Sequence, residues 1–382
     1  MRALKVVHVY SGNLFGGVER FLLTLAQERT ACPELEPSFA LCFEGALSNR
    51  LREVGVPVEI LGEARASRPW TTMAAAAALK RTLRRASPDV ALFHSAWPMA
   101  LLGGASRSAR VPAALFLHDA ATRHWTTALA RRRGPAAVLT NSEYIAGTAR
   151  QPFAGRPVHA CPLAVTRPPP PAGFDRAALR RELGVGEPDE VVIVLAARLE
   201  RWKGHILLLR ALGRLAGERR WRCWIAGGAQ RPEEASYLRE LQSAAWAMGL
   251  AGRIHLLGQR DDVPLLMAAA DVHCQPNEGP EPFGVAFVEA MLAGLPVVTT
   301  AMGGAPEVVP GEAGVLVPPE VDALAKALGA LIGSPERRAA LGAAGARHAA
   351  EAFSPRRRIP ELALKLAHAA LPPGAGAGYP PR

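Results

Sequence analysis

Short apolar runs alternate with longer helical patterns along most of the chain, and this alternation constrains the fold more than any other feature. In the first half, the strand candidates are residues 4–10, 38–42, 56–61, 90–93, 113–117 and 137–140. Helical patterns such as 72–85 lie between them. Strands that alternate with helices form a parallel sheet covered by helices on both faces. The sequence therefore predicts a doubly wound α/β fold.

A proline-rich segment divides the chain into two such halves. Residues 162–174 read PLAVTRPPPPAGF, and four consecutive prolines favour an extended backbone and exclude a helix. A chain of 382 residues is also long for a single core. We therefore predict one domain over 1–165 and a second over 166–352. A helix over 353–371 and a disordered tail over 372–382 are expected to follow.

Several polar residues and glycines follow strand candidates, where ligands of parallel sheets bind. His94 and His118 each follow a strand directly. Gly16 and Gly17 lie in a loop between the first strand and a helix over 18–27, an arrangement that binds phosphate groups. A lone histidine is more often structural, and one glycine loop is a weak signal. These features alone leave the ligand open.

The most informative stretch is residues 278–307, which predicts a loop, a helix over 285–292, a strand over 297–300 and a glycine turn. Glu281 precedes the helix and Glu289 lies within it. At ~1.5 Å of rise per residue they are about 12 Å apart at most, comparable to the span from sugar to ribose in a nucleotide sugar. The helix N-terminus between them would attract a diphosphate. The alternative is a surface helix whose glutamates are merely solvated.

The spacing of Glu281 and Glu289, followed by AMLAGLPVV and by GGAPE at 303–307, resembles the group 1 glycosyltransferases. Two further segments carry the same resemblance, namely GGVER at 16–20 and RLERWKG at 198–204. One departure is Ala164-Val165-Thr166, where family members often have Gly-Val-Asp. The resemblance covers both halves of the chain.

The resemblance implies a role for each matching residue. Glu281 and His118 would contact the donor sugar, and Glu289 the ribose hydroxyls. Arg198 and Lys203 would stabilise the leaving diphosphate. Backbone groups complete the implied donor site, at Gly16, Gly17, Gly258, Phe283, Gly284 and Val285.

The family has the GT-B fold, in which two Rossmann-like domains face a central cleft. The resemblance implies an acceptor-side first domain, a nucleotide-sugar-binding second domain, and a C-terminal helix that packs back on the first. It also implies retaining transfer from a UDP- or GDP-sugar to an acceptor hydroxyl, in envelope, polysaccharide or glycolipid synthesis. No Asp-x-Asp occurs, and Asp261-Asp262 lacks that spacing, so we expect no metal and no other cofactor.

Other functions are compatible with parts of this pattern. A sugar-nucleotide epimerase or a sugar phosphorylase would use the same fold. A catalytically silent binding module is disfavoured because Glu281, Glu289, Arg198 and Lys203 are all present. Nucleic-acid binding lacks any recognition motif or interleaving of aromatic and basic residues.

The net charge of +11 is concentrated in the first half of the chain. Residues 1–165 hold 20 Lys and Arg against 11 Asp and Glu, an excess of nine, whereas the remainder has an excess of two. Such a face could contact an anionic membrane, or it could simply be solvated. The five scattered cysteines and the absence of a signal-like or membrane-spanning segment predict a cytoplasmic protein, with peripheral membrane contact as one option.

Overall fold

The computed structural model describes residues 2–12, 16–217, 220–229 and 232–371, and the predicted tail 372–382 lies outside them. The chain forms two compact units. The first comprises Met1–Val165 together with Phe353–Arg382, and the second comprises Thr166–Ala352. The proline-rich segment 162–174 contains no helix and no strand.

The first unit is built on a seven-stranded parallel sheet with the order β3-β2-β1-β4-β5-β6-β7. Its strands are β1 Leu4–Tyr10, β2 Leu35–Leu41, β3 Val58–Ile60, β4 Val90–His94, β5 Ala113–Leu117, β6 Val138–Thr140 and β7 Val158–Ala160. Its helices are α1 Gly17–Gln27, α2 Ala46–Glu53, α3 Pro69–Ala86, α4 Ala96–Ala109, α5 Trp125–Arg133 and α6 Glu143–Arg150. Every residue of β4 is buried, as expected for a strand covered by helices on both faces.

The second unit is built on a six-stranded parallel sheet with the order β10-β9-β8-β11-β12-β13. Its strands are β8 Val191–Ala196, β9 Trp221–Ala226, β10 Ile254–Gly258, β11 Val272–Gln275, β12 Val297–Thr300 and β13 Gly314–Val317. Its helices are α7 Arg176–Glu182, α8 His205–Gly213, α9 Pro232–Ala247, α10 Val263–Ala269, α11 Val285–Leu292, α12 Ala305–Val308, α13 Val321–Ile332 and α14 Pro335–Ala352. Trp221 and Trp224 are fully buried in this unit.

The last helix, α15 Pro355–Ala370, belongs to the first unit. It packs near α1, β2, β4 and β5, and the Lys365 ammonium donates to the Ala160 carbonyl at the end of β7. Leu362 and Leu366 are buried on the side of the helix that faces this unit's core. Burial of one apolar stripe is what holds an amphipathic helix on a folded unit.

Each sheet reverses its strand order once, between β1 and β4 in the first unit and between β8 and β11 in the second. This is the doubly wound arrangement predicted from the sequence, and it is confirmed in both units. Ligands of such sheets bind beyond the carboxyl ends of the strands at the reversal point. The polar residues singled out in the sequence end β4 or follow β5, β8 and β11, which are strands at or next to these points; His94, predicted to follow its strand, is the last residue of β4.

Candidate functional site

A buried ion pair lies at the carboxyl ends of β8 and β11 in the second unit. Lys203 ends a single 3-10 turn, Arg201–Lys203, and Glu281 lies in the loop after β11. The Lys203 ammonium donates to Glu281 Oε2 over 2.7 Å, and the two side chains are only 13% and 8% exposed. A buried pair is stable when further hydrogen bonds satisfy its remaining polar atoms.

Two side-chain amides supply those further bonds. Asn277 Nδ2 and Gln275 Nε2 donate to the same oxygen, Glu281 Oε2, at 2.9 and 3.1 Å. Gln275 also donates to Asn277 Oδ1 at 3.0 Å, which fixes both amides. All three donors converge on Oε2, and no residue in the described part of the chain donates to Oε1. The second carboxylate oxygen is therefore available to a ligand.

Two glycines allow the loops that carry this pair to approach each other. Gly204 has φ +77°, and a Cβ there would lie 1.8 Å from the Pro276 carbonyl oxygen. Gly303 has φ +68°, and a Cβ there would lie 2.4 Å from the Glu281 carbonyl oxygen. The Gly304 amide donates to that carbonyl at 2.7 Å. No larger residue fits at either position, so the glycines place Lys203 and Glu281 within reach of each other.

Arg198 lies on the loop that connects β8 to the 3-10 turn. Its guanidinium pairs with Glu200 at 2.9 Å and keeps 37% of its side chain exposed. The Lys203 ammonium lies 3.9 Å from the centre of the Trp202 ring, which adds a cation–π contact to its ion pair. One short loop therefore presents two cations. Lys203 is held in its buried ion pair, whereas Arg198 is partly exposed and can reach an anion.

Helix α11 begins directly after this loop cluster. Its N-cap is Gly284, with φ +90°, where a Cβ would lie 2.3 Å from the Phe287 ring. Phe283 is buried beside it and Val285 opens the helix. The first backbone N–H groups of a helix have no partner within the helix and attract anions. Glu281 does not cap this helix, because its carboxylate is directed to Lys203 and the two amides.

Glu289 lies further along α11 and is 7% exposed. It acts electrostatically on Arg167, a residue of the proline-rich segment. Burial lowers the pKa of Arg167 and the Glu289 carboxylate opposes this shift. Arg167 also donates to the Pro264 carbonyl of α10 at 2.8 Å. The proline-rich segment thus contributes a cation to the surroundings of Glu289.

Gly258, one of the residues that the resemblance assigns to the donor site, is the last residue of β10 and has φ +66°. The Gly258 carbonyl accepts the Gly227 amide at 2.9 Å, which ties the ends of β9 and β10 together. Arg260 and Asp262 form a two-bond ion pair in the loop that follows β10, at 2.7 and 2.6 Å. The Arg260 guanidinium lowers the pKa of the Asp262 carboxyl.

In the first unit, Gly16 is the N-cap of α1 and Gly17 is its first residue. The Gly16 amide donates to Glu19 Oε2 at 2.8 Å, and Tyr10 donates its hydroxyl to Glu19 Oε1 at 2.8 Å. Burial, reinforced by Glu19, raises the pKa of Tyr10. The Gly16 amide is therefore already in use, and a phosphate held by both glycine amides would have to displace a buried carboxylate.

His118 follows β5 and is only 4% exposed. Its Nε2 lies 3.0 Å from His94 Nδ1, and His94 Nε2 lies 2.9 Å from His8 Nδ1. Burial lowers the pKa of His8 and of His118 to about 3. It also lowers the pKa of His94 well below its usual value, and the two neighbouring histidines add to that shift. All three imidazoles are neutral at pH 7.

Sequence reasoning identified both members of the ion pair but missed three of the residues that surround the site. Gln275 and Asn277 are polar side chains at the end of a buried strand. The rule that ligands bind where parallel strands end, applied above to His94 and His118, would have found them. Arg167 carries no comparable signal, because a single arginine in a proline-rich segment is usually solvated. Within the described ranges, no group of three or more His, Cys, Asp or Glu side chains is placed to hold a metal ion.

The two units, each with its polar residues at the reversal point of a doubly wound sheet, define a GT-B-type glycosyltransferase. Residues 175–348 match the family described as "Glycosyl transferases group 1", and residues 15–167 match "Glycosyltransferase Family 4". The chain is 32% identical over 323 residues to the GDP-mannose-dependent alpha-(1-6)-phosphatidylinositol monomannoside mannosyltransferase of Mycolicibacterium smegmatis, which covers 76% of this chain and 79% of that one. The chain belongs to the group 1, family 4-like glycosyltransferases.

Two further similarities agree with this assignment. A D-inositol 3-phosphate glycosyltransferase of Xylanimonas cellulosilytica is 38% identical over 206 residues, which cover 51% of this chain and 48% of that one. The crystal structure of Anabaena HepE in complex with UDP and glucose superposes with a TM-score of 0.83 at 25% identity, covering 95% of this chain and 99% of HepE. In the described part of the chain, no helix has the length and apolar character needed to cross a membrane.

Proposed function

We propose that this glycosyltransferase transfers a sugar from a nucleotide-diphosphate sugar to an acceptor hydroxyl, with retention of configuration and without a metal ion. The observation that carries the proposal is the Glu281 carboxylate. Lys203, Gln275 and Asn277 hold one of its oxygens, and the other receives no donor from the described residues. A fixed carboxylate oxygen of this kind is suited to accept hydrogen bonds from sugar hydroxyls.

The charged groups near Glu281 suit the departure of a diphosphate. Arg198 keeps more than a third of its side chain exposed and can grip phosphate oxygens with two N–H groups. Lys203 adds a second positive charge, and the N-terminus of α11 adds backbone N–H groups at Phe283, Gly284 and Val285. Fixed donors of this type typically supply about 3–4 kcal/mol each to a transition state. Charge stabilisation in this proposal therefore comes from side chains and amides instead of a metal.

The remaining residues are assigned to the rest of the donor. Glu289 would accept the ribose hydroxyls, with Arg167 as its electrostatic neighbour. The loop that starts at Gly258 would contact the base. His118 of the first unit would contact the donor sugar, as the resemblance implies. The amides of Gly16 and Gly17 would bind the diphosphate once the Glu19 carboxylate releases the Gly16 amide.

Named relatives narrow the donor and the acceptor. One relative is named as GDP-mannose-dependent, and HepE was crystallised with UDP and glucose. We therefore propose a UDP- or GDP-hexose as donor. Because the mannosyltransferase relatives are named for phosphatidylinositol mannosides, an envelope glycan or glycolipid is the proposed acceptor class.

The decisive experiment measures transfer. The purified chain is mixed with UDP-, GDP-, ADP- and TDP-sugars; thermal shift selects the base, and transfer to a lipid or inositol acceptor is followed by mass spectrometry. Activity is expected to persist in excess EDTA, and NMR of the product is expected to show the anomeric configuration of the donor. Donor isomerisation without transfer, or dependence on inorganic phosphate, would replace the transferase with an epimerase or a phosphorylase. Activity abolished by EDTA and restored by Mg²⁺ would overturn the metal-free mechanism.

The first unit also carries a surface suited to an anionic membrane, which we call the tryptophan face. Trp70 and Met73 on α3 are 67% and 72% exposed, and Trp125 at the start of α5 is 47% exposed. Met73 and Trp125 line a shallow cavity of about 350 Å³. Exposed arginines lie on these two helices or directly before α3, at positions 68, 81, 84, 85, 131 and 132, and of these Arg85 is paired with Glu59. Exposed tryptophan together with arginine is the composition of a surface that lies on anionic lipid.

A further inference from the structure

Three histidines form a continuous hydrogen-bonded row across the first sheet. His8 lies opposite Leu92 of β4, and His94 lies opposite Phe116 of β5. Each step of the row therefore moves to the neighbouring strand and two residues towards the carboxyl ends, which keeps the three rings on one face. The two contacts are 2.9 Å and 3.0 Å long. The row runs from the interior of the sheet to His118 at the strand ends.

Aromatic rings enclose the row, so no ring can turn freely. His8 stacks on Phe39 with 5.2 Å between centroids, and His118 stacks on Phe116 with 4.5 Å. Phe21 of α1 covers the outer side, 6.3 Å from His94 and 6.1 Å from His118. Tyr10 lies edge-on to His94 with 6.4 Å between ring centroids, and its hydroxyl donates to Glu19. Burial is the only cause of the lowered pKa values of His8 and His118, so no charged neighbour acts as a counter-charge to these two rings.

Neutral imidazoles in such a row cannot choose their tautomers independently. Each ring has one N–H and one lone pair, so each of the two contacts needs one donor and one acceptor. Only two arrangements satisfy both contacts. In the first, every proton lies on Nδ1, and His118 presents Nδ1–H. In the second, every proton lies on Nε2, and His118 presents a bare Nδ1.

The ends of the row distinguish these arrangements. His8 Nε2 and His118 Nδ1 are both buried without a partner among the described residues. His8 is completely buried, whereas His118 is 4% exposed at the strand ends. The second arrangement would leave an N–H donor unsatisfied in the centre of the sheet, and such donors are rare in proteins. The first leaves only a lone pair there and moves the unsatisfied N–H to His118 Nδ1, which is also buried in this structure but lies at the strand ends, so a local movement on substrate binding is needed before a substrate oxygen accepts it.

We propose that His94 and His8 are positioning residues that hold neutral His118 with its proton on Nδ1, so that His118 is a hydrogen-bond donor before the donor sugar binds. This inference rests on the proposed function for the identity of the sugar, but the state of His118 is independent of it. Each partner in the row fixes the tautomer of the next, as the partner of a catalytic or metal-binding histidine does elsewhere.

The test reads the tautomer directly. Two-dimensional NMR of the ¹⁵N-histidine-labelled full chain, with His118 assigned by the loss of its signals in His118→Gln, distinguishes Nδ1–H from Nε2–H without substrate. We expect Nδ1–H in the wild-type protein. A wild-type His118 that carries its proton on Nε2, or that is charged at pH 7, overturns the proposal even if the protein transfers sugar. Conversely, Nδ1–H in a protein without transferase activity would leave the row intact and reject the proposed function.

Variants then test whether the row is responsible. His94→Phe keeps a flat ring but removes the donor to His118 Nε2, so we expect the His118 proton to redistribute to Nε2. We also expect kcat to fall about tenfold with little change in KM. This loss is smaller than the factor of 10²–10⁴ that proton-transfer catalysis contributes. His94→Gln restores a donor and an acceptor and should recover part of both readouts. His273→Phe replaces a fully buried neutral histidine of the other unit and serves as the control. An unchanged His118 tautomer in a folded His94→Phe protein would contradict the role of the row.

Discussion

The two units place polar side chains at equivalent points of their sheets but in opposite electrostatic states. In the first unit, three neutral imidazoles, on β1, at the end of β4 and directly after β5, are buried and bond to one another. At the ends of β8 and β11 the second unit buries a lysine and a glutamate that compensate each other's charge. The difference follows from the partners. Without a counter-charge, burial drives a titratable group to its neutral form, whereas a paired charge survives burial when amides satisfy it.

The largest predicted effect is acid instability of the histidine row. Its pKa values are lowered on folding, so below pH 6.5 the unfolded chain binds more protons than the folded one, and stability falls as pH decreases. Lowering the pH from 7.5 to 5.5 reduces the free energy of unfolding by about 1.4 kcal/mol for each such histidine, and by about 4 kcal/mol for the whole row. The second unit has two comparable histidines, His205 and His273, with pKa values of about 4 and 3. We expect hydrogen exchange, corrected for intrinsic rates, to show the greater loss of protection in the first unit.

A single substitution sharpens this comparison. His273 makes no hydrogen bond through either ring nitrogen in the described structure. His273→Leu should therefore make the second unit less sensitive to pH, by about 1.4 kcal/mol over the same interval, whatever its effect at pH 7.5. Equal acid sensitivity of the two units in the wild-type protein, or an unchanged pH dependence in this variant, would contradict the assignment of neutral buried histidines.

The sequence predicts an element well when a local pattern determines it and poorly when packing against distant residues does. The strands β1, β5 and β12 and the helix α11 are predicted with their observed bounds, because each is a strongly patterned segment with clear stop signals. Strand β7 was missed, since its three residues, Val158–Ala160, include an exposed histidine and carry no pattern. Strand β2 begins three residues earlier than predicted, because Leu35 and Pro37 are buried by packing that a local pattern does not contain.

Contacts between distant residues account for what remained hidden at the site. The motif identified Glu281 and Lys203, which lie 78 positions apart, but not that they bond to each other. It placed Glu281 beside the helix N-terminus, whereas its carboxylate is bonded to Lys203, Gln275 and Asn277. The histidine row was hidden for the same reason, since His8 is 86 positions from His94. Such residues meet only because the sheets place neighbouring strands, and the loops that follow them, side by side.

The second prediction tests the charged side of the comparison. Glu281→Ala and Lys203→Ala should each reduce turnover at least a hundredfold, about 2.7 kcal/mol of transition-state stabilisation, because each removes a group assigned to the donor. Steady-state kinetics with the selected nucleotide sugar measure the effect. Near-wild-type turnover in both variants would reject this assignment of the site.

Controls separate catalysis from folding. Removing one member of a buried ion pair leaves the other charge uncompensated and can destabilise a protein by about 3–5 kcal/mol. Thermal unfolding of each variant is therefore needed, and Glu281→Gln, which keeps the shape of the side chain and removes only its charge, is the conservative partner of Glu281→Ala. The matched control is Arg201→Ala in the same turn, whose exposed pair with Glu240 is expected to contribute little to activity or stability.

The smallest predicted effect concerns the charge difference between the units. If the tryptophan face contacts anionic lipid, Arg131→Ser combined with Arg132→Ser should weaken binding to phosphatidylglycerol-containing vesicles about thirtyfold, since each of the two basic residues near such a surface contributes about 1 kcal/mol. Trp70→Ser should weaken it by a comparable factor through loss of buried apolar area. Flotation assays at low salt measure both, and 0.5 M NaCl should abolish most of the binding because screening shortens the reach of the charges.

The second unit provides the control that decides this last comparison. Arg337 and Arg347 on α14 are also exposed, so Arg337→Ser combined with Arg347→Ser removes the same charge from the other unit. A specific face predicts that this variant binds vesicles like the wild-type protein, whereas a non-specific effect of net charge predicts that both double variants lose binding equally. Binding to uncharged phosphatidylcholine vesicles, or preferential binding to RNA over anionic vesicles, would also argue against a membrane role. The comparison therefore tests whether the excess of nine positive charges in residues 1–165 forms a localised membrane-binding surface or acts only through the net charge of the protein.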